Sequence, residues 1–465
     1  MPTIEINLQY FADIAQLPFP ELVLRLFLDG GWIFFALLLW ASLTNWWLGS
    51  RSAKYAKTIT YTMLAIDIPK ANVQTVKAVE QIFSHFSVAY SGNDFLDKWW
   101  HGKFVPKFSF EIVSIEGYVQ FLVRTPSRFR DLVEAAFYSQ YPDAEIIEVA
   151  DYTERVPADV PNEEWDVFGT EFVLKKPFPI PFRTYTEFEH SSAEVTFKDP
   201  IASLLESFSQ LKRGEQLWMQ ILVTPCDDSW KEKSEEMVHK MLGKTAPPKK
   251  SAWDDILWLP KGILQHTLGL FAPAAPAKAD PAAKMAGMSP GEKGVMEAIQ
   301  RKATKLGFGV KIRLVLVGKR GSFNKGRLTG VRGAFQQLAS LNLNGFKGYG
   351  PVTPKGDYPW DRWSENDKKR AIFKSYKGRS GSGASAFYLN VEELATLYHF
   401  PMEATKAGQV KKTEAKRSEP PSALPTREAP LESAFRPLPK KSAAPPPPTE
   451  EEEDEDSPPP NLPVA

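Results

Sequence analysis

Hydrophobic and polar positions divide the chain into one long apolar run followed by many short periodic segments. Residues 30–50, GGWIFFALLLWASLTNWWLGS, hold no charged side chain. At 1.5 Å rise per residue such a stretch makes a helix about 30 Å long, which matches the hydrocarbon thickness of a bilayer. Trp32 stands at one end and Trp46 and Trp47 at the other, where indole rings favour the two interfaces. The pattern predicts a transmembrane helix over 30–50. Residues 1–29 form an extracytoplasmic N-terminal segment, of which the mildly amphipathic stretch 4–25 is expected to lie on the outer membrane surface.

Beyond the run, period-2 and period-3.6 patterns alternate. Strand 58–68 is followed by a helix over 73–86. Strands 108–115 and 118–124 flank Glu116-Gly117, a two-residue hairpin turn. Thr125-Pro126 reads as the cap and first position of a helix whose apolar face is Phe129, Leu132, Val133, Ala136 and Phe137. Strand 144–150 closes a βαββαβ order, the ferredoxin-like split unit, over 58–153. A related grammar returns in a second α/β unit, 165–243 and 289–400. It has strand 168–174, a helix started by Asp199-Pro200, the nearly continuous apolar strand 216–224, and a helix over 229–242. After an Ala/Pro-rich insertion at 244–288, Ser289-Pro290-Gly291-Glu292 forms a capping box that opens a helix over 290–306. Strand 310–317, helix 326–340 and strand 386–390 complete the unit. Residues 417–465 are rich in proline, carry seven consecutive acids from Glu450 to Asp456, and read as a disordered tail. The expected fold class is therefore α+β: one N-terminal transmembrane helix, two ferredoxin-like α/β sandwich units, and the tail.

Charge refines this picture in two places. Acids dominate before the apolar run (Glu5, Asp13, Glu21, Asp29), and Arg51, Lys54 and Lys57 follow it. The positive-inside bias puts the N-terminus outside and the body in the cytoplasm, as a single-pass protein of the cytoplasmic membrane. The acidic, nearly 30-residue lead and the lack of a small-residue cleavage site argue against a signal peptide. The single cysteine, Cys226, excludes an internal disulfide, which fits a reducing compartment.

The net charge of +1 hides a basic region: residues 291–380 hold twenty Lys/Arg and six Asp/Glu, a local +14. Within it KKRAIFKSYKGR (368–379) mixes cations with aromatics, and Trp360, Trp363, Phe373 and Tyr376 lie close by. Lys368, Lys369, Arg370, Lys374, Lys377 and Arg379 are the candidate nucleic-acid or lipid-binding residues. Internal pairing with the acidic tail is the competing use of the same charge.

Motifs for chemistry are sparse. Gly243-Lys244-Thr245 and Gly318-Lys319-Arg320 each hold only a fragment of a phosphate-binding loop, so ATP hydrolysis is not expected. The six histidines (His85, His101, His190, His239, His266, His399) show no metal-ligand spacing. Asp227-Asp228 next to Cys226 would raise its thiol pKa. No catalytic residue, metal site or cofactor is expected.

Several stretches resemble a known family: 108–153 (FSFEIVSIEGYVQFLVRTPSRFRDLVEAAFYSQYPDAEIIEVADYT), 182–189 (FRTYTEFE), 198–225 (KDPIASLLESFSQLKRGEQLWMQILVTP), 388–401 (YLNVEELATLYHFP) and 416–425 (KRSEPPSALP). They are similar to the non-ATPase N-terminal region of membrane-anchored ATPases of the type IV secretion and conjugation kind, found in genome-reduced bacteria. In longer relatives a motor ATPase domain follows the PPSALP-like stretch; here the Pro/Glu tail stands in that place. The resemblance implies a non-catalytic membrane subunit of a DNA or protein translocation machine. Its expected partners are membrane lipids, a separate motor ATPase, DNA, and further copies of the chain. Two rival readings are a membrane-tethered nucleic-acid-binding module and a membrane scaffold for pilus or envelope assembly.

Overall fold

The apolar run is helical, and the helix continues past the end of the uncharged stretch. A short helix, α1 (Phe19–Leu26), leads through a kink at Gly30 into α2 (Trp32–Thr58). No residue of α2 is buried by the rest of the protein, and Phe34, Leu37, Leu39 and Trp40 all stand exposed. A helix that is long, apolar and uncovered needs an apolar surround, and α2 meets the length and hydropathy of a membrane span. The structure is a computed structural model that describes residues 18–69, 72, 74–92, 94–190, 199–243, 287–355 and 361–401. The expectations for the outer N-terminal segment up to residue 17, for nearly all of the 244–288 insertion, and for the 417–465 tail fall outside the described residues.

Only Ile59 and Thr60 separate α2 from the first strand. The strands are β1 (Tyr61–Asp67), β2 (Phe108–Ile115), β3 (Tyr118–Pro126), β4 (Glu145–Glu148), β5 (Trp165–Leu174), β6 (Glu215–Pro225), β7 (Gly307–Lys319), β8 (Phe346–Gly348) and β9 (Phe387–Asn390). They form one mixed-order sheet in which every pairing is antiparallel. The strand order is β4-β1-β3-β2-β6-β7-β5-β8, with β9 on the free stretch of β7 beside β5. Read outward from the β2–β6 seam, the two halves repeat the same order in mirror image. The seam runs from Phe108 opposite Val223 to Ile115 opposite Gln216.

Alternation along the strands assigns the two faces. Phe110, Ile112, Phe121, Met219, Ile221, Ile312 and Leu314 point to one face. That face is covered by α3 (Val76–Phe86), α4 (Arg130–Gln140), α6 (Ala202–Ser209), α9 (Arg327–Gln337) and α11 (Val391–Leu397). The opposite face carries Ala65, Val113, Leu122, Trp218, Val315 and Val317, under the segment 149–160 and the helix α10 (Asp361–Lys377). Two further helices, α7 (Ser229–Met241) and α8 (Pro290–Ala303), flank the insertion, and α5 (Tyr185–His190) precedes α6. The chain after α11 crosses back to the first half: Tyr398 packs on Phe110 and Phe121, and Phe400 on Phe121, Phe137 and Tyr141. His399 is fully buried there, with both ring nitrogens on acceptors, Ala395 O at 2.8 Å and Asp199 Oδ1 at 2.6 Å.

Several sequence expectations shift by a turn. Thr125-Pro126 does not open a helix: β3 runs on to Pro126 because Tyr61 and Thr62 of β1 continue the ladder opposite it. The helix begins after a 3-10 turn, at Arg130. Thr58, read as the start of a strand, ends α2 instead. The hairpin at Glu116-Gly117 has positive φ at both positions, 54° and 89°, as a type I′ turn requires. Ser289 and Glu292 make the reciprocal capping box of α8. On α4, Val133 is sealed and Leu132 only partly covered. Val133→Asp should therefore unfold the first half more completely than Leu132→Asp, as read by loss of cooperative thermal unfolding in circular dichroism.

Candidate functional site

The second sheet face carries an unusual row of polar side chains. Glu111, Gln220, Arg313 and Glu171 occupy directly opposed positions on β2, β6, β7 and β5. All four are essentially without solvent exposure. Buried polar groups need partners, and these supply one another. Arg313 Nε donates to Glu171 Oε1 at 2.8 Å and its NH1 to Gln220 Oε1 at 3.3 Å. Gln220 Nε2 donates in turn to Glu111 Oε1 at 3.1 Å.

Arg379, just after α10, completes the row from above. Its five N–H donors serve Glu111, Asp151 and the Lys377 carbonyl. Tyr152 donates its hydroxyl to Glu111 Oε2 at 2.7 Å and lies 2.8 Å from the Tyr376 hydroxyl. Burial alone would push the Glu111 carboxyl up, but Arg379, Ser109 and Tyr152 outweigh it and hold the carboxyl below its usual range. Asp151 is held low in the same way: burial opposes, and Arg379 and Thr153 win. Arg379 itself has a φ of 47°, a conformation that side chains with a Cβ adopt rarely and that surrounding contacts must fix.

At one end of this row lies a cleft of about 240 Å³. Lys107, Thr224, Gly309 and Lys311 line its floor and the Gly/Ser-rich loop 381–386 its rim. Lys311 Nζ donates to the carbonyls of Gly381 and Ser382 at 2.7 and 2.6 Å. Gly383 must be glycine: its φ is 94°, and a Cβ there would stand 2.3 Å from the Glu171 carboxylate. Burial and the neighbouring Arg313 push the Lys107 amine down, and burial pushes Lys311 down to about 8. Two amines facing a glycine-lined cleft can hold an anionic group by charge and hydrogen bonds. Between pH 8 and the ordinary lysine range near 10.5, the unfolded chain binds more protons at position 311 than the folded chain. This site's contribution to stability therefore rises with pH across that window. Lys311→Met should remove the rise, measured as the difference in urea midpoint between pH 8 and pH 10.

The six cations singled out in the sequence fall into two groups. Lys369 is buried, with Nζ 3.0 Å from Asp166 and 3.2 Å from Glu365. Arg379 is buried in the row just described. Neither is available to a polyanion. Arg370 and Lys374 are exposed on α10, and Lys368 and Lys377 are partly exposed. Among the described side chains the aromatics form no stacking platform: Phe373 and Tyr376 point inward, Phe373 stacked and Tyr376 tilted on Trp218. Trp360 lies outside the described residues. The mixed cation–aromatic wording of this stretch thus comes from one helix that turns Phe373, Tyr376 and Lys369 inward and Arg370 and Lys374 outward.

Cys226 is half-buried, donates to Gly307 O at 3.2 Å, and is pushed up to about 12 by burial and Asp227. It is an unreactive thiol at neutral pH. Among the described residues, no three His, Cys, Asp or Glu side chains are grouped to hold a metal. The polar row was missed by periodicity, which assigns faces but not partners. Its signal was a charged or amide residue inside an apolar stretch of each of four strands: Glu111, Glu171, Gln220 and Arg313.

Comparison with curated proteins finds no match. The profile of a family described as a domain of unknown function, DUF8128, matches residues 68–413, and the chain belongs to that family.

Proposed function

We propose that this protein is a non-catalytic, membrane-anchored subunit of a type IV secretion- or conjugation-like translocation machine, docking a separate motor ATPase at the cytoplasmic face. The observation that carries the anchoring part is the two-residue join between the apolar α2 and β1, a strand inside the sheet. A load on the body would pass from the sheet into α2 without a flexible linker. The buried charges support a structural role, since Glu111, Asp151, Glu171, Arg313 and Arg379 are engaged with one another. The machine context and the motor ATPase rest on the sequence resemblance. We read each half of the sheet as a ferredoxin-like unit. The mirrored strand orders β4-β1-β3-β2 and β8-β5-β7-β6 and the helices on one face support that reading.

The topology follows from Arg51, Lys54 and Lys57 beyond the apolar run. A reporter fused after Ala465 should be active only in its cytoplasmic form, and reversing these three charges should weaken that orientation. Activity of an exported reporter at that position would overturn the topology.

A membrane-tethered nucleic-acid module is the second reading, favoured by the outward cations Arg370 and Lys374. It predicts DNA binding that weakens steeply with salt and is lost on Arg370→Ala with Lys374→Ala. Salt-insensitive or absent binding would remove it.

A further inference from the structure

A second segment of the chain lies alongside α2, far from it in sequence. Residues 95–104, FLDKWWHGKF, run next to the C-terminal end of the apolar helix. Trp47 Nε1 donates to Trp99 O at 2.9 Å, and the Trp47 and Trp100 rings lie 6.1 Å apart. The Arg51 guanidinium sits over both rings, 4.4 Å from Trp47 and 5.4 Å from Trp100. One turn further on, Tyr55 meets Phe104 edge-on at 5.4 Å. Gly102, with φ 66°, presses on the α2 backbone so closely that a Cβ would stand 2.4 Å from the Arg51 carbonyl carbon.

These contacts set a level for the segment. Trp99 lies beside Trp47, Gly102 beside Arg51 and Phe104 beside Tyr55, so the chain climbs away from the apolar run as it proceeds. Continuing that course one turn back from Trp99, on which the Phe95 ring packs at 5.6 Å, carries Phe95 and Leu96 toward the apolar run. They are 71% and 70% exposed, and Trp100 is 61% exposed. Large apolar side chains gathered on one short segment are not left in water without cause. The same segment exposes Lys98, His101 and Lys103, the last paired with Asp97 at 2.8 Å, and α2 exposes Lys54 and Lys57 at the same end.

We propose that residues 95–104 are a second membrane contact, a wedge in the interface of the bilayer leaflet at the C-terminal end of α2. Phe95, Leu96 and Trp100 enter the acyl boundary, and the surrounding cations face anionic lipid phosphates. Indole and phenyl rings beside lysines suit that zone, where one end of the group is apolar and the other wet. Continuity with α2 fixes the occupant as lipid, and the proposal rests on α2 spanning the membrane. Helix and wedge together would hold the body at a fixed tilt, where a single span alone would let it swivel.

The test uses the full chain with Cys226→Ser, carrying one spin-labelled cysteine at a time by Leu96→Cys, Leu38→Cys or Lys374→Cys. Each is reconstituted in vesicles of phosphatidylethanolamine with a minor share of phosphatidylglycerol. Accessibility to oxygen and to a water-soluble nickel chelate is compared. The wedge predicts that the Leu96 label has an oxygen-to-nickel ratio several-fold above that of Lys374 and below that of Leu38. Adding Gly102→Val, which forces the segment off α2, should bring the Leu96 ratio down toward that of Lys374. If Leu38 is deep and Leu96 is as open to nickel as Lys374, the wedge is wrong and the span stands. Low access to both reagents at Leu96 would mean a protein contact instead of lipid, and also overturns the wedge. Nickel access at Leu38 would remove the span, and the wedge with it.

Discussion

Replacing Arg379 with methionine should destabilise the body by about 3–5 kcal/mol, the usual result of stripping one partner from a buried ion pair. The size follows from what is left behind. Glu111 would be left at a fully buried position without two hydrogen bonds and its countercharge, and must either hold an unpaired charge there or take up a proton. Asp151, partly exposed, would lose less. Backbone strain does not confound the comparison, because arginine and methionine both carry a Cβ at the φ of 47°. Glu111→Gln in the same background should recover part of the loss, since the amide oxygen can still accept from Ser109 and the amide N–H can donate to the Tyr152 hydroxyl, with no charge left buried. Arg370→Met, which breaks an exposed pair with Asp367, is the control and should change stability by less than about 0.5 kcal/mol.

The pH dependence carries a sign as well. In the native chain the Glu111 and Asp151 carboxyls are held low, so their contribution is present above the ordinary carboxylate range. It is lost as pH falls through their folded values. In Arg379→Met, burial is left as the main influence on Glu111 and pushes its carboxyl up. Stability should then fall as pH rises through the ordinary range, the opposite slope. Denaturant midpoints of both proteins in detergent, followed from acid to neutral pH, test this, and parallel slopes would contradict the assignment.

The second large effect is expected at Lys302. Its ammonium is buried against Glu393 at 2.8 Å and donates to the carbonyls of Phe178 and Tyr388 at 2.7 and 3.0 Å. Burial dominates both partners, pushing the lysine down and the glutamate up. Such a pair contributes little net stability, yet losing one member is costly. Lys302→Met should cost about 3 kcal/mol or more, and Lys302→Met with Glu393→Gln should return most of it. The measured interaction energy of that cycle should therefore be large although the pair itself is nearly dispensable. Glu393 also caps α11 through the Asn390 amide, at 3.0 Å. Unseating it should loosen the turn that carries Tyr398 and Phe400 into the first half, visible as faster amide exchange over 391–400.

The sequence pattern was most informative where one periodicity holds for a full element. The long strands β6 and β7 were found because both of their faces are buried, which gives nearly continuous apolar wording. The helix α8 was found because its capping box is local chemistry. By contrast β8 is three residues long and owes its strand form to pairing with β5, so no window of its own sequence identifies it. The basic stretch 368–379 misled in a specific way. Charge and aromatic content were visible, but only the helical turn of α10 tells which residues face Trp218 and which face out. Pairing at the β2–β6 seam, which joins the halves and aligns Glu111 with Gln220, is long-range and leaves no local mark.

The most direct test of a membrane-anchored docking subunit is recovery of the full chain from its native membranes in gentle detergent, after mild cross-linking, with its partners identified. The chain should stay in the membrane fraction until detergent is added. A P-loop motor ATPase should co-purify in near-stoichiometric amount, with ATP turnover that is absent from the chain purified alone. A chain released by salt without detergent, or recovered from membranes with no such ATPase, would contradict that role.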